Sequence, residues 1–133
     1  MINKQGLIPV VITTVVVSIL SLSITGQNKQ ATQTAFHGKG YLVDIECAAI
    51  HDTDGNGNWG VTHNRRCLES EASKKSGFAL LLPNGEIYRF DPAGNALAVK
   101  AIASTKKDHD FRIDVAGVLV DKNLRVNSLV LLK

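Results

Sequence analysis

The sequence predicts a mainly β domain with short helices: a five-stranded OB-like barrel, preceded by an N-terminal apolar helix that acts as a signal or an anchor. Three observations lead there. Apolar and polar residues alternate with period two over Gly40–Cys47 and again from Phe111. Asn84-Gly85 stands between two short apolar runs, the strongest short-range hairpin signal. A helical stretch falls between the third and fourth strands, the order of an OB-type barrel, which closes a small sheet and leaves few exposed edges. A plain α+β sheet with helices on one face is the rival architecture.

The chain opens with Lys4 and then runs uncharged from Leu7 to Ile24. This has the basic start and apolar middle of an export signal, with Ser21, Ser23 and Thr25 as small exit residues. Its length falls between the apolar middle of a signal and the ~20 residues that cross a bilayer. Residues 1–25 are therefore expected to be a signal peptide or a membrane anchor. Residues 26–37 are expected to be a linker, because QNKQATQT (27–34) is polar and poor in hydrophobes. Residues 38–133 then form the barrel domain.

Within that domain Tyr41, Val43, Ile45 and Cys47 share one face of a first strand, with Leu42, Asp44 and Glu46 on the other. Asp52 to Asn58 breaks all periodicity and reads as a loop. Asn64 to Ser76 carries good helix formers, with Gly77 placed to end the helix in the left-handed conformation. Phe78–Leu82 and Ile87–Phe90 form the hairpin, through a type I′ turn at Asn84-Gly85. Asp91-Pro92-Ala93-Gly94 reads as a turn, and Asn95 as the cap of a helix through Leu97, Val99 and Ile102. Phe111 to about Val120, a turn at Asp121-Lys122-Asn123, and Leu124–Leu132 complete the five strands.

Composition excludes some functions. Lys and Arg number 15 against 12 Asp and Glu, a formal net charge of +3, without the clustering that a nucleic-acid surface needs. No serine has a Gly-x-Ser-x-Gly context, and His109 between Asp108 and Asp110 reads as a surface residue. No enzyme activity is expected.

Three sets of residues carry candidate chemistry. The 2 cysteines, Cys47 and Cys67, pair as a disulfide in an exported protein, which contributes about 3 kcal/mol in the chain-entropy model. Alternatively, His63, Cys67 and Glu71 stand four apart twice over, so a helix stacks them on one face. With Cys47 they offer sulfur, imidazole and carboxylate donors to zinc or copper. A disulfide consumes both thiolates, so the two readings exclude one another. Asp52, Asp54 and Asn56 followed by Gly57 match the front half of a calcium loop, but the twelfth position is His63 and lacks the bidentate Glu. Trp59, Tyr88 and Phe90 are candidates for an aromatic ligand platform or for core packing.

Gly40-Tyr-Leu-Val-Asp-Ile-Glu-Cys47, His63 with Cys67, Gly77, Asn84-Gly85-Glu-Ile-Tyr88 and the Val115-Ala-Gly117-Val hairpin resemble a family of small exported bacterial proteins. Its pattern is a Gly-x-x-x-Asp-x-x-Cys strand, a Cys-x-x-x-Cys helix, an Asp-Gly hairpin and a terminal Val-x-Gly strand pair. The likeness spans about residues 38–132. It implies an OB-like fold and export, and no particular activity. Glu71 stands where that family has its second helical cysteine, so a multi-cysteine site does not carry over.

The expectation is an exported, periplasmic or secreted non-enzymatic domain with no required cofactor, stapled by one disulfide. Its partner would be an envelope protein or a small ligand, with membrane contact only through an uncleaved N-terminus. The alternatives are a zinc or copper protein and a weak calcium-loop protein.

Overall fold

A computed structural model describes residues 31–51 and 55–133. The expected signal or anchor, and Asp52 and Asp54 of the calcium loop, lie outside the described residues. Among those described, no helix is long and apolar enough to cross a membrane.

The strands are β1 (Gln33–Asp44), β2 (Phe78–Leu81), β3 (Ile87–Phe90), β4 (Arg112–Val120) and β5 (Asn123–Leu131). They close a barrel in the order β1-β2-β3-β5-β4, as β1 pairs antiparallel with both β2 and β4. Tyr41 is the pivot of β1, facing Leu81 on one side and Arg112 on the other. The β3–β5 seam is parallel and short, matching Arg89 to Asn123 and Phe90 to Leu124. The helices are α1 (Ile45–His51), α2 (Arg65–Leu68), α3 (Glu71–Ser76) and α4 (Pro92–Ala103), with a 3₁₀ turn over Asn58–Val61.

The main core joins Leu42, Phe78, Leu80, Phe90, Phe111, Ile113 and Leu124 to Ala98 and Ile102 of α4. A second cluster, Val43, Ala48, Ala79 and Leu81, is covered by Ile45 of α1 and by Trp59. Strand β2 is thus buried along its whole length, which explains why FALL reads as a continuous apolar run and does not alternate. The long excursion between β1 and β2 forms an outer layer over this part of the barrel.

Several local expectations are corrected. Strand β1 begins at Gln33, inside the stretch expected to be linker, because residues from Gln33 onward pair with β4. It ends at Asp44, and Ile45 to Cys47 turn into α1, where the Asp44 carboxylate accepts the Cys47 N–H at 2.9 Å. The single helix expected over 64–76 is two short ones. Asn64 caps the first and Ser70 the second, each accepting an N–H three residues on, and Gly77 ends the second at φ 89°.

The β2–β3 hairpin is present, but its turn is not type I′. Gly85 N–H donates to Leu82 O at 2.9 Å across Pro83 and Asn84, neither of which has positive φ; of the three loop residues only Gly85 does, at 87°. Pro83 presets the first corner, and glycine then takes the strained position of a three-residue loop. Asp91, read as part of a turn, caps α4 through Gly94 N–H at 2.9 Å, with Pro92 in the first turn, where a missing N–H costs nothing. Asn95 sits inside α4 and accepts the Phe78 N–H at 2.9 Å, tying that helix to β2.

Gly117 lies at a register shift of the β4–β5 pair. A Cβ there would overlap the Arg125 carbonyl. Gly117→Ala should therefore destabilise the domain by about 1–3 kcal/mol, as overpacking against backbone does. The check is a lower urea midpoint with an unchanged denaturant slope.

Candidate metal centre

Two parallel pieces of local sequence build the centre. Asp44-Ile-Glu-Cys47 and Asn64-Arg-Arg-Cys67 each put an Asx cap three residues before a cysteine. Each cap oxygen accepts the N–H of its own cysteine, at 2.9 Å for Asp44 and 3.0 Å for Asn64. The two first turns line one cleft, and His63, one residue before the second cap, is buried beside the cysteines. The sulfurs of Cys47 and Cys67 and a ring nitrogen of His63 all lie within 4.8 Å of one another.

Both cysteines are free thiols, and their sulfurs stand 4.1 Å apart. A disulfide needs about 2.05 Å, so the expected Cys47–Cys67 bond is not formed. The separately capped turns set the spacing of the two sulfurs.

His63 is buried, and its Nε2 lies 2.9 Å from Oδ2 of Asp44, which is fully buried. Neither of these two atoms completes an aligned hydrogen bond, so the contact is a close polar approach and not a linear bond. Trp59 meets the His63 ring edge-on at 5.6 Å and stacks on His51 at 4.6 Å. Burial alone would push the Asp44 carboxyl up. His63 and the Cys47 N–H outweigh it and hold the group at about 2, against an ordinary 3.8. Burial, then the Asp44 charge and Cys67, push the Cys47 thiol up to about 12. Without a cation beside it, Cys47 is a protonated thiol at neutral pH and not a nucleophile.

Arg65 anchors the second turn. Its guanidinium donates to the carbonyl of Ile102 in the last turn of α4 (3.2 Å) and to those of Thr105 (2.5 Å) and Lys107 (2.8 Å) beyond it, while its backbone N–H donates to Asp108 O at 2.6 Å. It also lies over the Phe111 ring, 5.5 Å from the centroid.

The structure brings together Cys47, His63 and Cys67 and leaves Glu71 apart. Because the helix breaks at Ser70, Glu71 does not stack above Cys67; it is exposed and takes Lys74 Nζ at 3.0 Å. Asn56 accepts the Asn58 N–H at 3.0 Å, as in an Asx turn. The three aromatics do not share a platform. Phe90 is buried in the main core, Tyr88 packs edge-on against Phe36 at 5.2 Å, and Trp59 belongs to the second cluster. Asp44 and Arg65 were not singled out as site residues, although the repeated Asx-x-x-Cys spacing marks the Asp44 position.

No family model, curated protein or solved structure matches this chain.

Asp44→Ala should cost about 3–5 kcal/mol at pH 7, since it strands His63 and removes a cap. The sign with pH follows from its depressed value. The stabilisation is complete above pH 3.8 and is lost as pH falls through about 2. Urea melts at stepped pH should show this loss in the parent chain and not in the variant.

Proposed function

We propose that the domain binds a soft metal ion, zinc or copper(I), through Cys47, His63 and Cys67. The observation that carries this reading is the convergence of two free thiols and an imidazole nitrogen, with a buried carboxylate 2.9 Å from the Nε2 of the same imidazole. Two thiolates sharing one tetrahedral zinc at about 2.3 Å stand about 3.8 Å apart. The 4.1 Å between these sulfurs is much nearer to that than to a bond. A carboxylate behind a ligating histidine fixes the ring and strengthens it as a donor. With Nε2 beside Asp44, Nδ1 is the nitrogen for the ion. Thiolate and imidazole together suit zinc and copper(I) rather than calcium or magnesium.

The strand order, with α4 joining the third and fourth strands, supports an OB-type assignment. The apolar run from Leu7 to Ile24 supports export, and hence a metal-binding domain of the periplasm or the outer surface. One observation favours a second reading, a non-enzymatic binding domain for a small ligand or envelope partner. A cleft of about 520 Å³ lies between α1, the β2–β3 hairpin and Lys122, with Tyr88, Arg89 and Glu86 on its walls.

The test is zinc titration of the full chain under reducing conditions. One equivalent should bind, and zinc at 100 times its dissociation constant should stabilise by about 2.7 kcal/mol, raising the melting temperature by roughly 10 °C. Cys67→Ser should abolish the rise while keeping the circular dichroism of the fold. A native mass two hydrogens short, with no bound metal, would overturn the reading.

A further inference from the structure

Three protein donors leave one position of a tetrahedral ion to be filled, and the surroundings of the two sulfurs indicate where it points. His63 lies on the protein side of the cluster, buried against Asp44. Cys47 and Cys67, but not His63, line a solvent-open cleft of about 480 Å³, with Glu46, Arg66, Ser70 and Ser73 around it. The open side of the cluster is therefore the cleft side.

Most polar groups of the cleft are already committed. Ser70 and Ser73 hydroxyls bond each other at 2.8 Å, and Asn64 holds the Cys67 N–H. Arg66 differs. Its neighbour Arg65 spends its whole guanidinium on carbonyls and Glu69, whereas Arg66 is exposed and has no ion pair or hydrogen bond among the described residues. An exposed guanidinium lining the same cleft as the two sulfurs would, with a cation bound between them, make a receptor for a small anion, since the planar fork matches carboxylate-like acceptors.

Glu46 is the internal competitor for the open position. It precedes Cys47 in α1, and consecutive helical side chains diverge by about 100°, so the two do not converge on one point. Arg66 precedes Cys67 in the same way, but acts on the far end of a bound anion and needs no contact with the ion.

We propose, resting on the metal reading above, that the fourth coordination position opens into this cleft and takes a small exogenous anion steadied by Arg66. The probe is azide, added to the cobalt(II)-loaded full chain. The near-ultraviolet thiolate-to-cobalt band reports the metal site itself, and the visible cobalt bands report the fourth ligand. Azide should shift the visible bands saturably and leave the near-ultraviolet band in place. Arg66→Gln should weaken azide about tenfold, the worth of one hydrogen bond to a charged group, without altering cobalt stoichiometry. Glu46→Gln should leave the azide-free spectrum unchanged.

Visible bands indifferent to azide would overturn the proposal and leave the metal reading standing. The same holds for azide affinity unchanged by Arg66→Gln, or for an azide-free spectrum altered by Glu46→Gln. Absence of the near-ultraviolet band would overturn both.

Discussion

The buried carboxylate of Asp44 is the constraint on which the outer layer of this domain depends. It sits where β1 stops and α1 starts, fully removed from solvent. An isolated carboxylate there would be too costly to keep ionised, so its partners are obligatory. One oxygen is used on the Cys47 N–H, which starts α1, and the other faces His63. A single charge thus fixes the direction in which the chain leaves the barrel and the depth at which His63 sits. Removing it would loosen both at once, leaving Trp59, which packs against α1 and meets the His63 ring edge-on, as their remaining link.

Arg65 performs the complementary task from the other side. The last carbonyls of α4 and those just after it lack a full set of helical partners, and Arg65 collects three of them, Ile102, Thr105 and Lys107, in one planar fork. Because Arg65 opens α2, satisfying the end of α4 also fixes the turn that carries Cys67. The contact with Phe111 extends this joint into the main core. Cys47 is therefore held through β1, and Cys67 through α4 and β4, so the two halves of the site are referred to separate parts of one rigid barrel.

The barrel was legible where local chemistry and tertiary packing agree. Alternation located β4, the turn at Asp121-Lys122-Asn123 marked off β5, and the apolar run with Asn84-Gly85 located the β2–β3 hairpin. The turn type was misread because Pro83 adds a third loop residue, which moves the positive φ onto Gly85 alone. The first strand was carried too far because Ile45 and Cys47 continue the alternation, while the cap formed by Asp44 ends it. Asp44 itself was assigned to a polar face; period-two patterning does not reveal a second layer covering the strand. Asp91 shows the same competition, since a Pro at the first helical position imitates a turn. The separation of Glu71 from the cluster depended on Ser70 acting as a cap inside what reads as one continuous helix.

The electrostatics of the centre follow from the same arrangement. Asp44 orients the imidazole, and its charge also opposes ionisation of Cys47, whose thiol burial pushes up further. A dication between the sulfurs reverses that balance, because thiolates form readily beside a metal even where a lone thiol would stay protonated. On the proposed reading, the carboxylate that makes Cys47 inert as a free thiol would become the outer support of the ligand set, strengthening His63 as a donor. A nucleophilic or redox cysteine needs the opposite environment, one that lowers its pKa. An inert thiol, an imidazole beside a carboxylate and a second thiol on an independent support are instead the donors that the proposed cation would draw together.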